Sequence, residues 1–129
     1  MPEKYLYNYF MTERNEPLQV YFYQTGSGNE PVREWLKSLP QEDKKIIGVD
    51  IKTVQFGYPI GMPLTIVLYG TGGLEEVRCN ISNGIARIIF YVEDNTMVLL
   101  HAFIKKTQET PKKELEIATK RFKECKSSK

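Results

Sequence analysis

The Asn83-Gly84 pair constrains this chain more than any other feature. It separates two apolar, alternating runs at residues 77–81 and 85–92. Asn-Gly tolerates the positive φ angles of a tight hairpin turn, and the twist of that turn matches the strands on either side. With Asn83 and Gly84 as the two loop residues, Ser82 pairs with Ile85, Asn80 with Arg87 and Arg78 with Ile89. Successive side chains point to opposite faces of a strand. Val77, Cys79, Ile81, Ala86, Ile88 and Phe90 therefore line one apolar face. Arg78, Asn80, Arg87 and Tyr91 share the other face with Ile85 and Ile89.

Around this hairpin the pattern alternates between helix and strand periods. Leu18, Val20 and Phe22 alternate with polar neighbours, which predicts a first strand. Pro31 opens a short helix with Val32, Trp35, Leu36 and Leu39 on one stripe. Pro40 starts a second helix, with Glu42 and Asp43 in its first turn, Ile47, Ile51 and Val54 on its buried stripe, and Gly57 as its stop. Residues 58–63 contain two prolines and a glycine and are a loop. Residues 64–69 read as a strand, and residues 97–104 as the last one after a turn at 93–96. Thr110-Pro111 supplies an N-cap and first-turn pair for a final helix with Leu115, Ala118, Phe122 and Cys125 on one face. Strands that follow one another, segregated from helices, make the expected class α+β. The chain's 129 residues suit one domain. Residues 17–129 are expected to form it, and residues 1–16, tyrosine-rich and then polar, to be an extension.

Composition removes several functions. Two cysteines and one histidine cannot build a cysteine zinc site or a multi-histidine metal site. Gly70-Thr71-Gly72-Gly73 lacks the Lys-Ser/Thr of a phosphate loop. No cofactor is expected. There is no apolar run of membrane-spanning length and no apolar signal core at the start, so the expected location is the cytoplasm. The net charge of +2 conceals an asymmetry. Residues 99–129 carry nine basic and four acidic groups, whereas residues 1–98 carry nine basic and twelve acidic. Such a basic segment suits nucleic acid or an acidic partner, or is simply a solvated lysine-rich helix.

Two arginines and a tyrosine on one half of a sheet make a cationic patch with an acid–base candidate. The arginine fork suits phosphate, and two of them would stabilise the charge of a phosphoryl transition state. The structural alternative is that Arg78 pairs with Glu75 or Glu76 while Arg87 is solvated. His101 is either a general acid or base or a hydrogen-bonded strand residue. A two-residue Asp94-Asn95 turn puts it on the Phe90 side of the sheet, and one residue of slip puts it with the arginines. Lys105 and Lys106 would steer a phosphate backbone or solubilise the strand end.

Gly73-Leu74-Glu75-Glu76-Val77-Arg78, Ala86-Arg87-Ile88-Ile89-Phe90-Tyr91 and the segment 99–111, with its Phe-x-Lys-Lys-Thr-x-x-Thr-Pro core, form a pattern. It resembles the HigB-like, phage Gp49-like branch of the RelE/ParE toxin superfamily, over about residues 18–125. The resemblance implies a RelE-like fold: an antiparallel sheet of four to five strands, two helices in the N-terminal half and one at the C-terminus. It implies the toxin of a type II toxin–antitoxin pair, a metal-independent endoribonuclease that cuts mRNA on the ribosome. The RNA 2′-hydroxyl would attack the adjacent phosphate and expel the 5′-oxygen, aided by cations and by proton acceptors and donors. Carried over, Arg78 and Arg87 would hold the scissile phosphate. Tyr91 and His101 would orient or exchange protons, and Lys105, Lys106, Lys112 and Lys113 would contact RNA. The implied partners are a helix-turn-helix antitoxin, the ribosome and mRNA. Where the family often has an aromatic before its strand glutamate, this chain has Glu75, a carboxylate that would repel phosphate beside an RNA site. Relatives in the superfamily inhibit gyrase instead, so the alternative is a ParE-like inhibitor or a degenerate toxin that only binds its antitoxin.

Overall fold

The computed structural model describes residues 16–105 and 109–127. In chain order the elements are β1 (Gln19–Phe22), α1 (Pro31–Lys37), α2 (Gln41–Gly57), β2 (Thr65–Val67), β3 (Glu75–Ile81), β4 (Gly84–Glu93), β5 (Thr96–Lys105) and α3 (Lys112–Ser127). The strands form one five-stranded sheet in the order β1-β5-β4-β3-β2. All neighbours are antiparallel except β1, which runs parallel to β5. This is the α+β, mostly antiparallel architecture expected from the sequence. The expected strand at 64–69 is shorter, because the 58–63 loop leads in and Leu68 already turns back to bond Leu74.

Each face of the sheet has its own core. Val77, Cys79, Ala86, Ile88, Phe90, Met97 and Leu99 pack against Val32 of α1 and Ile47 and Val54 of α2. On the opposite face Leu74, Ile89, Tyr91, Leu100 and Phe103 pack against Ala118, with Leu115, Phe122 and Cys125 of α3 alongside. The helix stripes read from the sequence are the stripes that are buried. Each large apolar side chain withdrawn from water contributes about 1.5–3 kcal/mol before the entropic cost of ordering it.

The hairpin register differs from the expectation by two residues. Ile81 pairs with Gly84, so Ser82 and Asn83 are the turn, and Arg78 lies directly opposite Arg87. Two interactions favour this turn. Asp43, buried at the start of α2, accepts hydrogen bonds from the Ser82 amide (3.3 Å) and hydroxyl (3.0 Å). Gly84 closes the turn at φ 140°, a value that disfavours any side chain. A two-residue shift preserves the alternation, so the two predicted faces stand although the predicted partners do not.

The second hairpin decides the position of His101. Its turn is the two-residue Asp94-Asn95 turn, with Glu93 opposite Thr96. A β-bulge then interrupts the ladder: Phe90 pairs with Leu99 but Ile89 pairs with His101. Leu100 is the extra residue, and the slip turns His101 onto the arginine face.

Candidate functional site

Read across the arginine face, the register produces a ladder of rows. Asn80, Ile85 and Lys105 form one row and Arg78, Arg87 and Phe103 the next. Ile66, Glu76, Ile89 and His101 follow. Tyr91 and Val98 lie opposite each other one row further on. Four of the expected site residues and Lys105 therefore share one face. They do not share one environment, because α3 covers the β4–β5 half of that face and leaves the β2–β3 half open.

Glu76 organises the centre. It is fully buried, and its Oε1 accepts a 2.9 Å hydrogen bond from Arg78 Nε and lies 3.7 Å from Arg87 Nη1. Its Oε2 accepts a 2.8 Å bond from the Thr110 hydroxyl. Thr110 was expected to cap α3. It ties the approach to α3 to the arginine ladder instead, and the Pro111 carbonyl takes the bond from the Leu115 amide. Arg87 is fully buried, and burial pulls its guanidinium below its usual range; Glu76 opposes this and Arg78 adds to it. It remains a cation, as an arginine does in any protein environment.

Arg78 is the arginine that reaches solvent, with its side chain 16% exposed. With Asn80 and Ile85 it lines a cleft of about 190 Å³, whose apolar wall is Met62, Pro63 and Ile66. The cleft therefore presents a cation and an amide beside a hydrophobic wall. This chemistry suits a phosphate attached to a flat apolar group.

Glu75 is on the other face. It pairs with Phe90, and the Tyr58 hydroxyl donates to its carboxylate. The expectation that Glu75 would repel phosphate in the site is corrected by this placement: in a period-two strand, adjacent glutamates cannot share a face. The partner of Arg78 is Glu76.

Tyr91 and His101 are engaged with α3. The Tyr91 ring packs 4.8 Å from that of Phe122. Burial, with Cys125 beside it, pushes the Tyr91 phenol up to about 12. His101 Nε2 lies 3.0 Å from Glu114 Oε1, and its Nδ1 lies 3.4 Å from Arg121 Nη1. An arginine can only donate, so Nδ1 is the acceptor and Nε2–H donates to Glu114. The ring also stacks on Phe103. Glu76 and His101 lie on strands separated by β4, about 10 Å apart at two strand spacings. Sequence reasoning missed Glu76 as the hub and Arg121 as the partner of His101. The alternation rule pointed to Glu76, while nothing local to Arg121 signals its contact.

Among the expected RNA contacts, Lys105 is partly buried opposite Ile85, and Lys112 and Lys113 are exposed at the start of α3. Lys106 lies outside the described residues. Among the described residues, no group of three or more His, Cys, Asp or Glu converges as metal ligands would. No helix of the described residues is long and apolar enough to cross a membrane.

No curated protein matches the chain. Residues 34–123 match the family model of the phage derived protein Gp49-like family (DUF891). The match starts within α1, ends within α3 and contains the whole Glu76–Arg78–Arg87 ladder with its cleft. Matched over most of its length, the chain belongs to the phage derived protein Gp49-like family of RelE-like, toxin–antitoxin-type toxins.

Proposed function

We propose that this protein is the toxin of a type II pair and cleaves mRNA on the ribosome without a metal. The observation that carries the reading is that Arg78 lines an open cleft while the buried Glu76, which also lies beside Arg87, holds its Nε. Arg78 is assigned the scissile phosphate. When the 2′-hydroxyl attacks, it gives its proton to water, the P–O5′ bond breaks to leave a 2′,3′-cyclic phosphate, and the 5′-oxygen takes a proton from water; the charge that builds on the non-bridging oxygens is stabilised by a fixed guanidinium more than by water. Arg87 and Glu76 are assigned to positioning: the buried Glu76 carboxylate accepts from Arg78 Nε, and Arg87 lies beside the same carboxylate. Removing one such donor costs about 10²–10³ in rate. Lys105, Lys106, Lys112 and Lys113 are assigned the flanking phosphates, an attraction that weakens with salt. His101 and Tyr91 serve in this reading by holding α3 against the sheet. A toxin of this family generally has an antitoxin partner; a helix-turn-helix protein is proposed here, with the cytoplasm as the site of action.

The test is primer extension on a defined mRNA in a purified translation system, with and without ribosomes. Cleavage by wild type that requires ribosomes, reduced about 10²–10³-fold in Arg78→Ala with an unchanged melting curve, is the expected result. Full cleavage by a folded Arg78→Ala protein overturns the assignment.

One observation favours a second reading. Both acid–base candidates are already engaged, His101 with Glu114 and Arg121 and Tyr91 in the helix interface. A ParE-like gyrase inhibitor, or a toxin that only binds its antitoxin, needs no proton transfer. Intact mRNA together with DNA-damage signalling after induction would select the gyrase form.

A further inference from the structure

Glu76 divides its two oxygens between the sheet and the segment that leads into α3. Oε1 accepts from Arg78 Nε at 2.9 Å and lies 3.7 Å from Arg87 Nη1. Oε2 accepts from the Thr110 hydroxyl at 2.8 Å. The side chains of Glu76 and Arg87 are sealed from solvent, whereas Arg78 reaches the cleft. Thr110 approaches this buried carboxylate from outside the sheet.

A carboxylate turns about its last bond, and a guanidinium fork favours meeting both of its oxygens at once. With Oε2 released, the Glu76 carboxylate could turn toward Arg87 and give up the bond to Arg78 Nε. A hydroxyl has one proton to donate, and Thr110 directs it to Oε2. That bond fixes the carboxylate plane, and with it the direction from which Oε1 meets Arg78. Thr110 is itself held in place. Pro111 confines the residue before it to the extended region. The Pro111 carbonyl accepts from the Leu115 amide at 3.1 Å, in the first turn of α3. Leu115 in turn packs against the core beneath that helix. The position of α3 is thereby passed through Thr110 and Glu76 to Arg78.

We propose that Thr110 is a positioning residue that sets the guanidinium of Arg78 through Glu76. Its effect on rate deepens the RNA-cleavage reading and rests on it. Its effect on the geometry of Arg78 is measured without RNA. A threonine that only tethered α3 would affect stability and leave Arg78 unmoved.

The test follows the Arg78 Nε–H signal by nuclear magnetic resonance in the isotope-labelled full-length chain. The signal is identified by its absence in Arg78→Lys. In wild type this proton is hydrogen-bonded and exchanges slowly with solvent. Thr110→Val keeps the shape and removes the hydroxyl, so the signal should shift and exchange about tenfold or more faster. Thr110→Ser should retain the wild-type behaviour. Thr110→Cys, whose thiol is a weak donor, should fall between the two and gives an arm that does not depend on Thr110→Val folding. In ribosome-dependent cleavage, kcat of Thr110→Val should fall about tenfold or more with KM within about twofold, and Thr110→Ser should rescue it. An unmoved Arg78 signal in the folded variants overturns the inference, as does a Thr110→Ser protein that behaves like Thr110→Val. So does a lowered melting midpoint with wild-type exchange and wild-type kcat, which would leave Thr110 as a tether alone. Absence of cleavage by wild type would overturn the RNA-cleavage reading instead, and the Arg78 signal would then decide the inference by itself.

Discussion

The two faces of the sheet use the same strands differently. On the α1–α2 face, β3 and β4 present only apolar side chains at the rows from Val77–Ile88 to Cys79–Ala86, and the core there is continuous. On the α3 face the same strands present Glu76, Arg78 and Arg87, and the helix covers only part of the ladder. The first face can tolerate changes that conserve volume and hydrophobicity, because its interactions are non-directional. The second depends on charges that must be paired, because a buried ion without its partner costs several kcal/mol. A fold can therefore keep its stability on one side of a sheet and its polar, partly open surface on the other.

The largest effect that tests this contrast is expected from Glu76→Ala. It leaves Arg87 buried beside Arg78 without the carboxylate between them, and should cost about 3–5 kcal/mol in urea unfolding. Ile88→Val, at the equivalent depth on the apolar face, should cost about 0.5–1.5 kcal/mol. Equal losses would remove the contrast. Tyr91→Phe probes the half of the polar face under α3 through pH. The Tyr91 phenol is raised in the folded state, so its contribution is fully present below the unfolded value near 10 and is lost as pH climbs through about 12. Wild type should lose about 2–3 kcal/mol over that window that Tyr91→Phe does not lose. A parallel profile for the two proteins would place Tyr91 in a more solvated setting.

Asp43→Ala tests the tether from α2 to the turn beneath both faces. Loss of the charge-assisted bonds to Ser82 should cost about 1–3 kcal/mol. The smallest change, Gly48→Ala, should raise stability by about 0.5–1 kcal/mol, since the added methyl group meets open space. A loss of stability there would mean that the helix needs its glycine.

Much of the fold was legible because it depends on period and local chemistry. Pro31 and Pro40 announce two helices, Asn83-Gly84 a hairpin, and Leu115, Ala118, Phe122 and Cys125 the buried stripe of α3. The division of Arg78 and Arg87 from Val77 and Ile88 follows from alternation and survived an error of two residues in register. The exact pairing was not legible, since it depends on Asp43, distant in sequence, holding Ser82. The parallel placement of β1 beside β5 was not legible either, because edge pairing is settled only when the sheet assembles.

For the candidate site the limits are sharper. The sequence by itself determined that two arginines would occur on one face of β3 and β4, because side-chain direction has a period of two. It also determined the family pattern across β3, β4 and β5. Only the tertiary structure decided that Arg78 opens to solvent while Arg87 is sealed behind Glu76. That outcome depends on where α3 stops covering the sheet. Only the tertiary structure decided that His101 joins the arginine face, through one extra residue at Leu100. The physical reason is the same in both cases. Local sequence fixes the direction in which a side chain points, whereas burial and charge partners depend on elements brought together from far along the chain.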